Sequence, residues 1–382
     1  MNKLIKFIQK NRFIARIVED AYGIISYNLP GGRALNPVSA VLLLTYRCNL
    51  RCTMCLYYNE SEQKNTEGMI AKRREEELSM DDIMRFIDGA AGMKIRVLTL
   101  HGGEPLVYPG LFEISEYARE KGILVNFITN GMLLNEANIE KIIRARINSL
   151  TISIDGPEDI HDSVRGVKGA YRKAMDGIAI IKKKEKEGKV VPHTGISTYV
   201  SAMNQDYLME LFEELAKAGI ANWGVGLVTY GSEKLSAATR KILSLDSGEG
   251  QGNLDLLAED ITGLDREKML ALRAALKAAN KGRGMEIIFP SERAVKEYSN
   301  PFYNEANMCF HPWTRVVVSP YGEVFPCIIL SMVSAVMGNI KKEPLAKIWN
   351  GEQYRKLRKQ MKKKGLLPIC SKCCVINNIK VL

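Results

Sequence analysis

Residues 41–55 read VLLLTYRCNLRCTMC, and the organisation of the chain follows from this stretch. The unbroken apolar run VLLLT (41–45) predicts a strand covered on both faces, since a strand with one wet face would alternate apolar and polar residues. It passes directly into a loop carrying Cys48-x3-Cys52-x2-Cys55. Three thiols on one short loop suit three irons of a cubane cluster and leave the fourth iron without a protein ligand. Zinc is the alternative, but structural zinc takes four ligands in paired spacing, and no fourth Cys or His lies nearby.

From this strand to about residue 230, β-rich runs alternate with helical patterns. Further strands are expected at RVLTL (96–100), ILVNFIT (123–129), SLTISI (149–154), TGISTYV (194–200) and GVGLVTY (224–230). Helices are expected at 80–91, 110–121, 135–146, 169–187 and 205–218; the first opens on Ser79 with Asp82 three positions on, the spacing of a capping box. Such alternation predicts a parallel α/β sheet. A closed eight-stranded barrel takes about 250 residues. Six strands in a shorter span predict a partial (β/α)6 TIM barrel, with the cysteine loop at the C-terminal end of its first strand, where α/β active sites form.

The rest of the composition narrows the class. In 382 residues, 46% hydrophobic and 25% charged residues exclude global disorder. No run of 18 apolar residues is present, so no membrane-spanning helix is expected. The eight cysteines fall in two groups, three at 48–55 and five after residue 308, which points to metal ligation in a reducing compartment rather than a disulfide scaffold. The formal charge of +11 is also local. Residues 341–364 hold ten Lys/Arg against Glu343 and Glu352, and residues 1–18 interleave Lys3, Lys6, Lys10, Arg12 and Arg16 with apolar positions. The N-terminal pattern fits an amphipathic helix packed on the protein or lying on an anionic membrane surface.

With these residues in view, the chain resembles the radical S-adenosylmethionine (SAM) superfamily, whose signature is C-x3-C-x-Φ-C with Φ usually aromatic; here Φ is Met54. HGGEPL (101–106) resembles the family's GGE motif, which implies that Gly102, Gly103 and Glu104 receive the SAM amino group. ITNG (128–131), SIDG (153–156) and HDSVRG (161–166) end or follow strand candidates. By resemblance, Ser153 contacts the SAM ribose, Arg165 pairs with the SAM carboxylate, and Asn130 and Asp155 line the same bowl. Turn chemistry explains Asp155 and Asp162 equally well, and His161 reads as a loop residue rather than a proton donor.

The later cysteines, Cys309, Cys327 within YGEVFPC (Gly322-x4-Cys327), and Cys370-x2-Cys373, resemble the auxiliary-cluster extension called SPASM or, when shorter, twitch. The full SPASM pattern has seven cysteines; here the C-x5-C-x3-C portion is missing, so one second [4Fe–4S] cluster on four thiols is expected, with zinc as the alternative. Cys374 is left over, as a spare thiol, a substitute ligand or a hydrogen-atom donor.

The resemblance implies an enzyme that reductively cleaves SAM and removes a hydrogen atom from an organic substrate of small-molecule, sugar or lipid type. A peptide-modifying maturase and a non-catalytic iron–sulfur electron carrier are the alternatives. Only about 40 residues precede the first strand, fewer than a peptide-recognition domain takes, which favours the non-peptide reading. Expected partners are a flavodoxin- or ferredoxin-like electron donor and an anionic membrane surface, with a cytoplasmic or inner-surface location. No nucleic acid is expected, since aromatics in the basic tail are limited to Trp349 and Tyr354. Tyr199 and Tyr230 are candidate substrate contacts. Expected units are an N-terminal basic segment (1–37), a SAM core (38–232), a helical connector (233–300) and an auxiliary-cluster domain (301–382).

Overall fold

The structure, a computed structural model, describes residues 12–55, 76–228, 233–244, 263–298, 308–373 and 380–381. Tyr230, Cys374 and the Gly-rich stretch 247–253 lie outside the described residues, as does most of the N-terminal basic pattern. The chain order opens with α1 (Arg12–Asn28), β1 (Ser39–Leu43), α2 (Met80–Gly92), β2 (Val97–His101), α3 (Leu111–Glu120), β3 (Leu124–Thr129), α4 (Glu136–Arg144) and β4 (Ser149–Ser153). It continues with α5 (Glu158–Arg165), α6 (Ala170–Lys186), β5 (His193–Val200), α7 (Leu208–Lys217), β6 (Asn222–Leu227), α8 (Glu233–Leu243), α9 (Arg266–Ala279), β7 (Glu286–Phe289) and α10 (Glu292–Lys296). The last part holds α11 (His311–Thr314), β8 (Arg315–Val318), β9 (Glu323–Phe325), α12 (Ile328–Ser331), β10 (Gly338–Asn339), α13 (Leu345–Trp349), α14 (Glu352–Lys364) and β11 (Lys380–Val381).

All strands join one sheet in the order β10-β9-β8-β1-β2-β3-β4-β5-β6-β7-β11. From β8 through β7 neighbouring strands run parallel, as successive βα crossovers require, and the pairs at either end are antiparallel. The six expected strands are all present. The sheet goes beyond them at both ends. β7 lies within 233–300, where only helix is expected, and pairs parallel with β6 through Asn222↔Glu286. β8, which forms an antiparallel hairpin with β9, also pairs parallel with β1 through Ser39↔Arg315.

β1 shows why its sequence is apolar throughout. Ala40, Leu42 and Leu44 enter the large core, while Val41 and Leu43 pack with Val317 and Phe325 on the other face. The start of α2 carries the capping box read from the sequence, with Ser79 and Asp82 bonding reciprocally. One element is a helix where a loop motif is read: HDSVRG belongs to α5, opened by Pro157 with Glu158 and Asp159 in its first turn and closed by Gly166 in the left-handed region.

The described part of α1 is held by its own protein. Ser26 Oγ donates to Trp313 O at 3.0 Å, the Tyr27 and Trp313 rings lie 4.8 Å apart, and a Cβ on Gly23 would meet Phe310 at 2.7 Å. Arg358 of α14 is fully buried and has no ion pair among the described residues. It donates to Pro312 O (2.8 Å), Trp349 O (2.9 Å), Gly32 O (3.3 Å) and Asn350 Oδ1 (3.1 Å), and stacks on Trp349 and Tyr354. One of the ten cations of 341–364 is therefore structural, collecting carbonyls at the ends of three segments.

Candidate active site

The candidate residues gather at the C-terminal ends of β1 to β5, the end at which a parallel sheet opens for ligands. The cysteine loop follows β1, HGGE follows β2, Asn130 follows β3, Ser153 ends β4 with Asp155 two residues on, and Tyr199 lies near the end of β5.

The cysteine loop is seated on α5 by its backbone. Arg51 N donates to Arg165 O and Thr53 N to Val164 O, both at 3.0 Å. Gly166 fits this seat in two ways: its φ is +69°, and a Cβ there would lie 2.4 Å from Arg51 O. The same loop is joined to β3 and β2. Asn130 Nδ2 donates to Asn49 Oδ1 at 2.8 Å and lies 3.8 Å from Cys48 Sγ. The two glycines of GGE answer to this packing as well, since a Cβ on Gly102 would meet Thr45 O at 2.3 Å and one on Gly103 would meet Arg47 O at 2.1 Å. Their close approach is to the segment leading into the cysteines.

Glu104 is 1% exposed and takes three protein donors: Thr129 Oγ1 (2.7 Å) and Leu106 N (3.0 Å) at Oε1, and Asn130 N (2.8 Å) at Oε2. A carboxylate has about four acceptor positions, so one position on Oε2 is left for an ammonium. Burial pushes the Glu104 carboxyl up, against the lowering effect of these donors.

Asp155 and Arg165 form a buried ion pair, Nη2 to Oδ2 at 2.5 Å. Asp155 Oδ1 also accepts from Tyr199 N at 2.9 Å. This excludes a turn role for Asp155. Asp162 does serve turn chemistry, accepting from Gly169 N (2.5 Å) and Tyr171 N (2.9 Å) at the start of α6. Arg165 Nη1 lies 3.6 Å from Cys52 Sγ, and its Nε is buried without a hydrogen-bond partner. His161 is fully buried on α5: its Nδ1 accepts from Asp155 N at 3.0 Å, and burial, then the Arg165 charge, push its pKa down to about 3. It is a neutral structural group that positions the Asp155 backbone, not a loop residue.

Asn204 was not singled out by the sequence. It is fully buried and donates from Nδ2 to Asp155 O (2.7 Å) and Tyr199 O (2.9 Å), joining the ends of β4 and β5, while its Oδ1 accepts from Ser201 N. Its signal was positional, an amide four residues past a strand in the row of strands that carries every other candidate. Ser153 is half-buried in register with Ser197, Met54 is half-buried on the cysteine loop, and Tyr199 is 37% exposed.

The second cysteine set is also brought together. Cys327 caps α12, with Sγ accepting from Leu330 N at 3.4 Å. Cys370 lies in the 3-10 turn Pro368–Lys372 and Cys373 caps its end, with Cys373 N donating to Cys370 O. Burial raises the Cys327 thiol to about 12 and also raises Cys309 and Cys370; neighbouring thiols of the set raise Cys327 and Cys370 further. Cys370 is buried and Cys309 and Cys327 are half-buried, and thiols this close are a donor set that multivalent iron would satisfy, since ligation requires and favours thiolate. At the first set, burial raises Cys48, aided by the charges of Glu104 and Cys52 and opposed by the Leu50 amide and Asn130. Among the described residues no three His, Cys, Asp or Glu side chains close on a single point like a mononuclear ion site. Two of the candidate residues keep capacity for a ligand: Arg165 Nε is a buried donor without a partner, and Glu104 has one acceptor position left.

Comparison with known proteins agrees with this geometry. A family model described as Radical SAM superfamily matches residues 42–215, and one described as SPASM, an iron–sulfur cluster-binding domain, matches residues 309–374. The chain is 30% identical over 344 residues to an AdoMet-dependent heme synthase of Methanosarcina barkeri, spanning 86% of each chain. It is 24% identical over 329 residues to a PqqA peptide cyclase of Granulibacter bethesdensis, spanning 84% of this chain and 76% of that one. The fold is similar to the crystal structure of Streptococcus suis SuiB bound to S-adenosylmethionine, with a TM-score of 0.60 at 17% identity, covering 90% of this chain and 74% of SuiB. The chain belongs to the radical SAM superfamily, an enzyme whose cofactors are S-adenosylmethionine and a [4Fe–4S] cluster, with a SPASM domain for auxiliary iron–sulfur binding.

Proposed function

We propose that this enzyme removes a hydrogen atom from a small organic substrate, with Cys48, Cys52 and Cys55 holding the cluster and Glu104, Ser153 and Arg165 holding S-adenosylmethionine. When bound, the cluster and S-adenosylmethionine together supply reductive cleavage of the sulfonium C–S bond, and so a 5′-deoxyadenosyl radical as the hydrogen abstractor. The observation that carries this reading is the placement of Arg165 between Asp155 and Cys52 with its Nε buried and unpartnered.

The chain's own residues have defined tasks in this reading. Arg165 Nε donates to the S-adenosylmethionine carboxylate, and the Asp155 carboxylate holds the planar guanidinium so that Nε keeps its direction. Glu104 accepts one ammonium N–H on Oε2, while Thr129, Leu106 and Asn130 keep its carboxylate from turning away. Met54 supplies an apolar contact, and the Ser153 hydroxyl takes the ribose. Glu104 and Asp155 are buried, and electrostatic positioning out of water is stronger than at the surface. The SPASM-type thiols Cys309, Cys327, Cys370 and Cys373 hold an auxiliary cluster. A low-potential one-electron carrier of flavodoxin or ferredoxin type supplies the reducing electron.

For the substrate class, the likeness to a heme synthase over 86% of both chains supports a tetrapyrrole-type small molecule. A peptide is the second reading, supported by the likeness to PqqA peptide cyclase. The test is substrate-dependent 5′-deoxyadenosine formation by anaerobic, reconstituted protein given an iron porphyrin precursor or a panel of precursor peptides. Stimulation by the porphyrin, with loss of hydrogen from it by mass spectrometry, is expected. Stimulation by peptides alone would replace the first reading with the second.

A further inference from the structure

The outer face of α14 is used neither by the fold nor by the S-adenosylmethionine site. The helix buries Tyr354, Leu357, Arg358 and Met361 and leaves Lys356, Lys359 and Lys363 exposed. These three recur at helical spacing and so share one face, which Lys364 extends at the helix end. None of the four pairs with a carboxylate among the described residues, and Glu352 is the one acid of the helix. Structural cations of the same helix behave differently: Arg358 donates to carbonyls in the interior, and Lys362 donates to Leu29 O at 3.1 Å.

The inner face of the helix reaches the strand that leads into one of the auxiliary thiols. Tyr354 Oη donates to Phe325 O at 3.2 Å, two residues before Cys327. At its C-terminal end the helix passes through Gly365 into the turn that carries Cys370 and Cys373. The exposed lysines thus lie on the helix that touches the strand before Cys327 and leads into the turn of Cys370. Unneutralised cations on one face attract an acidic protein and speed its encounter.

We propose that Lys356, Lys359, Lys363 and Lys364 form the docking face for an acidic, low-potential one-electron carrier, a flavodoxin or ferredoxin, whose electron enters at the auxiliary cluster of Cys309, Cys327, Cys370 and Cys373. The proposal rests on the reading above that an external carrier reduces the enzyme. The carrier is oxidised by one electron and the auxiliary cluster is reduced by one; no bond breaks and no proton moves.

The test is titration of anaerobic, reconstituted full-length protein with an acidic flavodoxin at several salt concentrations. Four proteins are compared: wild type, the K356E/K359E/K363E/K364E variant, its glutamine counterpart, and a K183E/K186E/K189E control at the C-terminal end of α6 and just beyond it. Neutral glutamine substitutions at the four α14 positions guard against a folding defect. The α14 glutamate variant is expected to bind flavodoxin at least about tenfold more weakly and to lose most of the salt dependence, with the glutamines intermediate and the control unchanged. Formation of 5′-deoxyadenosine driven by dithionite should be unaffected in all of them. Equal flavodoxin affinity in wild type and the α14 variants would overturn the docking face, as would an equal loss in the control. Binding of wild type to phosphatidylserine vesicles but not to flavodoxin would also overturn it. Failure of wild type to cleave S-adenosylmethionine with dithionite would instead strike the proposed function.

Discussion

Arg165 and Asp155 lie 2.5 Å apart, on the C-terminal turn of α5 and just past the end of β4, with Asp155 fully buried and the Arg165 side chain 11% exposed. Because Arg165 also lies 3.6 Å from Cys52 Sγ and its backbone carbonyl receives Arg51 N, this one pair ties the cysteine loop to the sheet. The pair is both a structural joint and the support of a ligand-facing donor.

Substituting Asp155 separates these roles. Asp155→Asn keeps an acceptor for Tyr199 N and removes the charge facing Arg165. Breaking a buried pair by removing one partner costs on the order of 3–5 kcal/mol. A fall in unfolding free energy of that size in urea, together with weaker S-adenosylmethionine binding by equilibrium dialysis, is expected. A variant as stable as wild type would show that the guanidinium is held by other groups.

Gly166→Ala attacks the seat of the cysteine loop without touching a cysteine. The new methyl would lie 2.4 Å from Arg51 O at a residue with φ of +69°, so the loop must shift. Reconstituted protein should lose about four irons per chain, one cubane's worth, and keep the auxiliary set. An iron content equal to wild type would mean that the loop tolerates the displacement.

His161 gives the folded state a pH dependence. Its pKa is about 3 in the fold against 6.5 when exposed. Between those values the unfolded chain binds a proton that the folded chain does not. The stabilisation is whole above pH 6.5 and falls as the pH drops, by about 1.4 kcal/mol per pH unit from this group. His161→Asn retains an acceptor for Asp155 N and should flatten the dependence by about 1 kcal/mol between pH 6.5 and 5.5, where the exposed histidine is only partly protonated, read from unfolding free energies in urea. Parallel curves for the two proteins would remove His161 as the source.

Much of this arrangement was legible in the sequence, and the exceptions have physical reasons. The six strands and their helices were visible because both-face burial makes continuous apolar runs, as in VLLLT. β7 was missed because EIIF is four residues long and follows a helix rich in Ala, Leu and Lys. The pairing of β8 with β1 was missed because contacts between residues 39 and 315 leave no local pattern. α5 was hidden by its motif, although Pro157, two acids and a closing Gly166 are ordinary helix signals. The cysteines and GGE were legible because their chemistry restricts residue type. Asn204 was not, since a buried amide that ties two strand ends can be recognised only once those ends are adjacent.

Arg358 belongs to the basic segment 341–364 and is nevertheless fully buried. Arg358→Met keeps bulk but leaves the carbonyls of Pro312, Trp349 and Gly32 without their donor. Buried acceptors left unmade cost about 1–3 kcal/mol each, so a destabilisation of several kcal/mol is expected in chemical denaturation. Arg358→Lys should rescue little, because an ammonium cannot span the separate carbonyls as a guanidinium does. Full rescue by lysine would show that charge, not the planar fork, is what the site requires.

The account's central claim is that Cys48, Cys52 and Cys55, with Arg165 beside them, form the place where S-adenosylmethionine is reductively cleaved. The most direct measurement is 5′-deoxyadenosine formed per chain by anaerobic, reconstituted protein with dithionite, comparing wild type with Cys52→Ala and with Cys327→Ala. The account predicts product from wild type, none above background from Cys52→Ala, and retained cleavage in Cys327→Ala. Equal product from wild type and Cys52→Ala would contradict it.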